Sequence, residues 1–251
     1  MARKGPADVP DPPHRYPRNV TDAAPRPLWR RIGGSVWFHL LAAFVVFGLL
    51  LTFVAKPYAV PSASMDATLQ NGDRILVNRL AYVGAAPGMG DVVVFDAGAA
   101  WDGGEQPSGG ALKDAARWVG EVTGFGPTGP HTLVKRIIGL PGQRVACCSA
   151  EGAVEVDGTP LAEDYVSNDL PFVPGSLDCA TEARSPRCFD EVVVPAGSYL
   201  VLGDNRGNSS DSAAFCRAPG ADDGCWRWAT RDGLVGRAAA VIWPIPRWAG
   251  L

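Results

Sequence analysis

The sequence predicts a mainly β protein, with antiparallel sheets folded as a sandwich or partial barrel behind one N-terminal transmembrane helix. Two observations point there. Residues 36–55 form an apolar run of 20 residues without an acid, Lys or Arg. Beyond it, short stretches rich in β-branched residues alternate with turn pairs, and few helical patterns intervene.

The run VWFHLLAAFVVFGLLLTFVA rises about 1.5 Å per residue and so reaches roughly 30 Å, the thickness of bilayer hydrocarbon. A cleaved signal peptide has a shorter apolar region, about 7–15 residues, and a small-residue cleavage site after it. The run therefore reads as an uncleaved anchor. His39, near its start, reads as an interfacial or helix-packing residue. Residues 1–35 hold seven Lys/Arg and three acids, and only Lys56 lies immediately on the far side. Positive charge stays inside, which makes 1–35 a cytoplasmic tail and 56–251 an extracytoplasmic domain in the cell membrane. The tail carries Pro10, Pro12, Pro13, Pro17, Pro25 and Pro27; such a segment builds no core and is expected to be disordered.

The part beyond residue 35 keeps 16 of the 23 basic and 23 of the 26 acidic residues. A mildly acidic domain lacks the basic face that nucleic-acid binding needs. Six cysteines agree with an oxidising compartment. Cys179 and Cys188 bracket one short polar loop, and Cys216 and Cys225 another, so each pair is expected as a local disulfide. Cys147 and Cys148 are adjacent, and the sequence leaves three outcomes for them: a vicinal bond, pairing elsewhere, or free thiols. A zinc site is not expected, because C-x-x-C pairs and nearby histidines are missing.

Strand signals fall at Arg74–Val77, Asp91–Phe95, Thr132–Ile138, Val154–Val156, Glu191–Val194, Tyr199–Leu202 and Ala238–Trp243. Turn pairs such as Asn71-Gly72, Pro141-Gly142 and Asp157-Gly158 separate them. One helix is expected over Ala111–Val122, where Leu112, Ala115, Ala116, Val119 and Val122 recur at helical spacing. Gly/Pro-rich flanks mark 97–131 as an insertion between core strands. Packing on the domain is the expected role of this helix, and contact with lipid or the protein export channel is the alternative.

The candidate chemistry centres on Ser64, nine residues beyond the anchor. It sits in Tyr58–Leu69, YAVPSASMDATL, where Pro61 stiffens the approach and small neighbours admit a ligand backbone. In an extended chain Ser62 and Ser64 would face one side. One hydroxyl could then attack while the other donates to an oxyanion. A serine nucleophile needs a base. Of the three histidines, His14 is in the tail, His39 in the span and His131 in a loop with no acidic sequence neighbour. Lys135 is the stronger base. Strand alternation in Leu133–Ile138 puts it on a face with Leu133 and Ile137, where loss of water disfavours the charged amine. Nine residues reach at most about 30 Å, so Ser64 stays close to the outer membrane surface.

Four ordered blocks carry a family resemblance: Pro61-Ser62-Ala63-Ser64-Met65, Gly72-Asp73 with the strand after it, Leu133 through Gly142, and Gly203-Asp204-Asn205-Arg206 with Ser209, Asp211 and Ser212. Together with the anchor they resemble the type I signal peptidases, membrane-bound Ser/Lys endopeptidases that remove signal peptides from exported precursors. The resemblance implies an all-β signal peptidase fold with a smaller subdomain around 145–195. It implies Ser64 as nucleophile and Lys135 as general base, with the Ser62 hydroxyl and the Ser64 N–H as the oxyanion hole. Ser209 would orient the lysine by a hydrogen bond, and Asp211 would support the site from behind. The substrate would add as a β-strand beside Tyr58–Val60 and the strand before Lys135. Val60, Met65, Leu69 and Val134 would line shallow pockets suited to Ala-X-Ala before the cut. Secretory precursor proteins are the implied partners, and no cofactor or metal is.

Four positions depart from the family pattern. Ala67 stands for the usual proline, Asn78 for a common lysine and Gln143 for a common acid. Ala213 replaces the arginine that usually follows Asp-Ser, which puts an acid–arginine pairing of Asp211 in question. Two other readings are a Ser/Lys peptidase devoted to a few envelope substrates and a tethered β-domain that binds peptides without cutting them. A disulfide-rich envelope structural domain would explain the cysteines but not Ser62, Ser64, Lys135 and Ser209.

Overall fold

The computed structural model describes residues 35–98, 101 and 132–251. Helix α1 runs over Val36–Leu49 and passes into a π-helical turn at Leu50–Val54. This 19-residue span is long and apolar enough to cross a membrane. None of its residues is buried, and a helix apolar on every side is suited to lipid rather than water. His39 Nδ1 donates to Ser35 O at 2.9 Å. The expected span to residue 55 is one residue too long, because Ala55 opens the first strand.

All strands belong to the unit Val45–Leu251. In chain order they are β1 (Ala55–Ala59), β2 (Arg74–Asn78), β3 (Val92–Asp96), β4 (Thr132–Gly139), β5 (Arg144–Cys147), β6 (Val154–Val156), β7 (Thr159–Pro160), β8 (Phe189–Val193), β9 (Ser198–Leu202), β10 (Ala229–Thr230), β11 (Leu234–Trp243) and β12 (Ala249–Gly250). The larger sheet has the order β1-β2-β11-β3-β4-β9-β10, with β12 on β11; the smaller has the order β7-β6-β5-β8. All the paired strands are antiparallel. The mainly β, antiparallel class is therefore the observed one.

Strand alternation sorts the core. Val60, Met65, Leu69, Ile75, Val77, Val92, Val94, Val134, Ala238 and Val241 form one buried cluster. Val93, Phe95, Ile137, Tyr199 and Val201 form another, with Trp101 packed edge-on against Phe95. The smaller sheet contributes Val145, Val154, Val156 and Phe189 to a third cluster that also contains Ile138, Leu200 and Leu202 of the larger sheet. This shared core fastens the smaller sheet to the strands that carry the site.

Three disulfides are formed: Cys147–Cys148, Cys179–Cys188 and Cys216–Cys225. Both expected loop bridges are present, and the adjacent pair takes the vicinal outcome. Apart from residues 97, 98 and 101, the insertion and the helix expected at Ala111–Val122 lie outside the described residues, as do residues 1–34 of the tail.

Candidate active site

The site lies where the turn after β1 meets β4 and the loop after β9. Val60 N donates to Asp73 O and Gly72 N to Val60 O, which ties the chain after β1 to the start of β2. Pro61 then releases it into a run of turns, in which Asp66 N donates to Ala63 O and Leu69 N to Met65 O. The extended backbone expected at Ser62–Ser64 is replaced by this turn. The two hydroxyls still converge, with Ser62 Oγ 3.3 Å from Ser64 Oγ.

Lys135 sits in β4 opposite Val93 of β3. Its Nζ lies 2.6 Å from Ser64 Oγ. The lysine is 2% exposed and the serine 7%. Burial lowers the amine from its ordinary range to about 8, against the opposing pull of the Asp211 and Asp204 carboxylates. Taking water from an ammonium disfavours the charged form. The result is a large neutral fraction at mildly alkaline pH beside a primary alcohol.

The loop after β9 holds this pair in place. Asn205 N donates to Ser64 O at 3.1 Å, and Asn205 Nδ2 donates to Ala63 O at 3.0 Å. A Cβ at Gly203 would meet Ser64 O at 2.5 Å and would also strike Ser209 Oγ, so the approach of these two backbones requires glycine. Asp204, fully buried, takes a forked contact from Arg136, Nε to Oδ1 at 2.9 Å and Nη2 to Oδ2 at 2.6 Å, and accepts from Thr68 Oγ1 at 2.6 Å. The Arg136 guanidinium also lies 4.0 Å from the centre of the Tyr165 ring. This pair joins the Ser64 turn, β4 and the loop.

Asp211, also fully buried, accepts from Gly203 N, Ala213 N and Arg217 Nη1. The acid–arginine pairing put in question by Ala213 is therefore present, supplied from Arg217 beside Cys216. Ser209 Oγ is buried and has no hydrogen-bond partner among the described residues; the orienting bond expected from it to Lys135 is not made here. Its hydroxyl lies instead against Gly203. Gln143 accepts from Leu140 N and donates to Asp157, closing the turn into β5. Asn78 Oδ1 accepts from Leu80 N.

Val60, Met65, Leu69 and Val134 all lie in one buried cluster, with Tyr58 packed against it. Met65 and Leu69 are core residues here. Strand β1 ends the sheet order, and among the described residues β9, which also pairs β10, meets β4 along Arg136–Gly139. The cysteine sulfurs of 148, 179 and 188 lie within 4.8 Å of one another, but all are in disulfides, which leaves no thiolate to bind a metal.

Sequence reasoning missed two contributors. Arg217 gave no local signal, because its pairing depends on the turn that follows Asp211. The segment Glu163–Asn168 has no periodicity, yet it packs on the loop after β9. Arg206 pairs with Glu163 at 2.5 Å, and Ser167 N donates to Asp204 O.

Known proteins resemble this chain over most of its length. The family model described as signal peptidase, peptidase S26, matches residues 34–243. Signal peptidase I of Mycobacterium tuberculosis is 36% identical over 239 residues, 89% of this chain and 77% of that protein. Signal peptidase IB of Staphylococcus aureus is 30% identical over 215 residues, 83% of this chain and 88% of that protein. A solved signal peptidase I from Enterococcus faecalis V583 is 21% identical with a TM-score of 0.33, covering 61% of this chain and 97% of that one. The match over most of the chain assigns it to a family of peptidases: it belongs to the signal peptidases, peptidase S26.

Proposed function

We propose that this protein is a membrane-anchored serine endopeptidase that cuts signal peptides from exported precursors with a Ser64–Lys135 dyad. The observation that carries the reading is the 2.6 Å contact between a buried amine, lowered to about 8, and the Ser64 hydroxyl. Neutral Lys135 takes the hydroxyl proton as Ser64 Oγ attacks the scissile carbonyl. The Ser64 N–H and the Ser62 hydroxyl donate to the oxyanion, a device worth about 2.7–4 kcal/mol per donor. Collapse of the tetrahedral adduct breaks the C–N bond, and the Lys135 ammonium returns its proton to the leaving amine. Lysine then deprotonates a water, which hydrolyses the acyl-enzyme and frees Ser64.

Asp211 supports the dyad from behind, its charge favouring the Lys135 ammonium that forms as Ser64 attacks, while Ser209 packs against Gly203 without bonding the lysine. The precursor enters as a strand between β1, the end of the sheet order, and the first half of β4. Tyr58, Val60 and Val134 offer the apolar walls, with Met65 and Leu69 beneath them, and such shallow walls favour Ala-X-Ala. The anchor sets 1–35 in the cytoplasm and the domain from 56 outside, with lipid as neighbour and secretory precursors as substrate. Contact of 97–131 with the export channel belongs to the same reading.

The test is to mix the full chain in detergent with an exported precursor and sequence the new N-terminus. A single cut after Ala-X-Ala is expected. No cut, or cuts scattered through the precursor, would remove the reading.

A further inference from the structure

Asn168 stands on a strap, Glu163–Asn168, that crosses both halves of the site. Ser167 N donates to Asp204 O, Arg206 N to Ser167 O and Gly207 N to Asn168 O. Ser167 Oγ donates to Asp66 O in the nucleophile turn. The Asn168 side chain reaches further in: its Nδ2 donates to Asn205 Oδ1 at 2.9 Å. That bond bears on the orientation of Asn205. Ala63 O can only accept, so the Asn205 amide must turn its Nδ2 toward Ala63 and its Oδ1 toward Asn168. A donor at 168 satisfies that orientation, whereas an acceptor there would oppose it.

We propose that Asn168 is a positioning residue for the nucleophile: its amide orients Asn205, which in turn clamps the backbone of Ala63 and Ser64. The proposal rests on the Ser64–Lys135 reading above. The backbone of Asn168 is itself left-handed, at φ 43°, a conformation that asparagine and glycine tolerate and alanine resists. Asn168→Gly therefore removes the amide without opposing the backbone, and Asn168→Asp replaces the donor with an acceptor at nearly equal size.

The experiment compares the full chain in detergent as wild type, Asn168→Gly, Asn168→Asp, Asn205→Ala and the double variant Asn168→Gly/Asn205→Ala. Two readouts are taken: kcat and KM on a synthetic precursor peptide, and hydrogen exchange at the Asn205 backbone N–H. Loss of one amide hydrogen bond predicts a fall in kcat of about 3- to 10-fold for both Asn168 variants, with KM unchanged. The double variant should be no slower than Asn205→Ala alone, because Asn168 acts through Asn205. Exchange at Asn205 should quicken in Asn168→Gly. A wild-type kcat in both Asn168 variants, or multiplying losses in the double variant, would overturn the proposal. If the wild type itself cuts nothing, the peptidase reading fails. Exchange then decides the clamp alone: faster exchange supports it and unchanged exchange overturns it.

Discussion

Arg217 donates to Asp211 Oδ1 at 3.1 Å, supplying from six positions along the chain the guanidinium that Ala213 cannot. The carboxylate is fully buried and the arginine side chain is 10% exposed. Removing one partner of such a pair leaves an uncompensated buried charge, which costs about 3–5 kcal/mol. Arg217→Ala should therefore lower the thermal midpoint of the full chain in detergent markedly, and Arg217→Lys less so. Unchanged midpoints in both would mean that Asp211 does not depend on Arg217.

The amine of Lys135, lowered from 10.5 to about 8, predicts the pH profile. Below about 8 the lysine is protonated and cannot accept the Ser64 proton, so kcat/KM should climb as pH rises through that value and then level. A flat profile between about pH 6 and 10 would count against a lysine base.

The same shift affects stability with the opposite sign to a salt-bridged lysine. Between about 8 and 10.5 the unfolded chain binds more protons at this position than the folded one, so stability rises with pH through that window. At neutral pH the buried amine costs about 3 kcal/mol relative to an unperturbed lysine. Lys135→Met, which keeps the volume and drops the charge, should raise the thermal midpoint at pH 7 while abolishing cleavage. A lower midpoint would show that the buried amine does not oppose folding.

Gly203→Ala tests the close passage of the two loops. Its Cβ would meet Ser64 O at 2.5 Å, so one loop must move away from the other. Cleavage should fall sharply, whereas Gly72→Ala meets no neighbouring atom and is opposed only by its φ of 92°. Full activity in Gly203→Ala would contradict the packing described.

The Cys216–Cys225 bridge closes a loop with a sequence separation of 9 next to Arg217. A loop of that size is worth about 2–3 kcal/mol through the unfolded chain. Cys216→Ser/Cys225→Ser should lower the unfolding free energy by that amount and the thermal midpoint with it, and peptide mapping of the wild type under non-reducing conditions should return all three bridges with no free thiol. A free thiol at 216 or 225 would contradict the pairing.

The sequence was most legible where a single physical rule governs. An apolar run without charge announced α1, and alternating branched residues announced β2, β3, β4, β9 and β11 within a few residues of their ends. Strand β1 escaped notice because Pro57 sits in it, a residue tolerated only at a sheet edge, and the edge is where β1 lies. Strand β5 escaped because a Cys pair ends it rather than a branched run. The contact of Ser64 with Lys135 was legible because a serine without a usable histidine needs another base. The partners of Asp211 and Asn205 were not, because Arg217 and Asn168 reach them through turns whose course no local pattern encodes.

The most direct measurement of the central claim is the cleavage rate of one precursor peptide at pH 9 by wild type, Ser64→Ala and Lys135→Ala. Residues that act as one unit lose nearly all chemistry when either is removed, so each variant should be slower by about 10³-fold or more. Cleavage at the wild-type rate by either alanine variant would contradict the dyad.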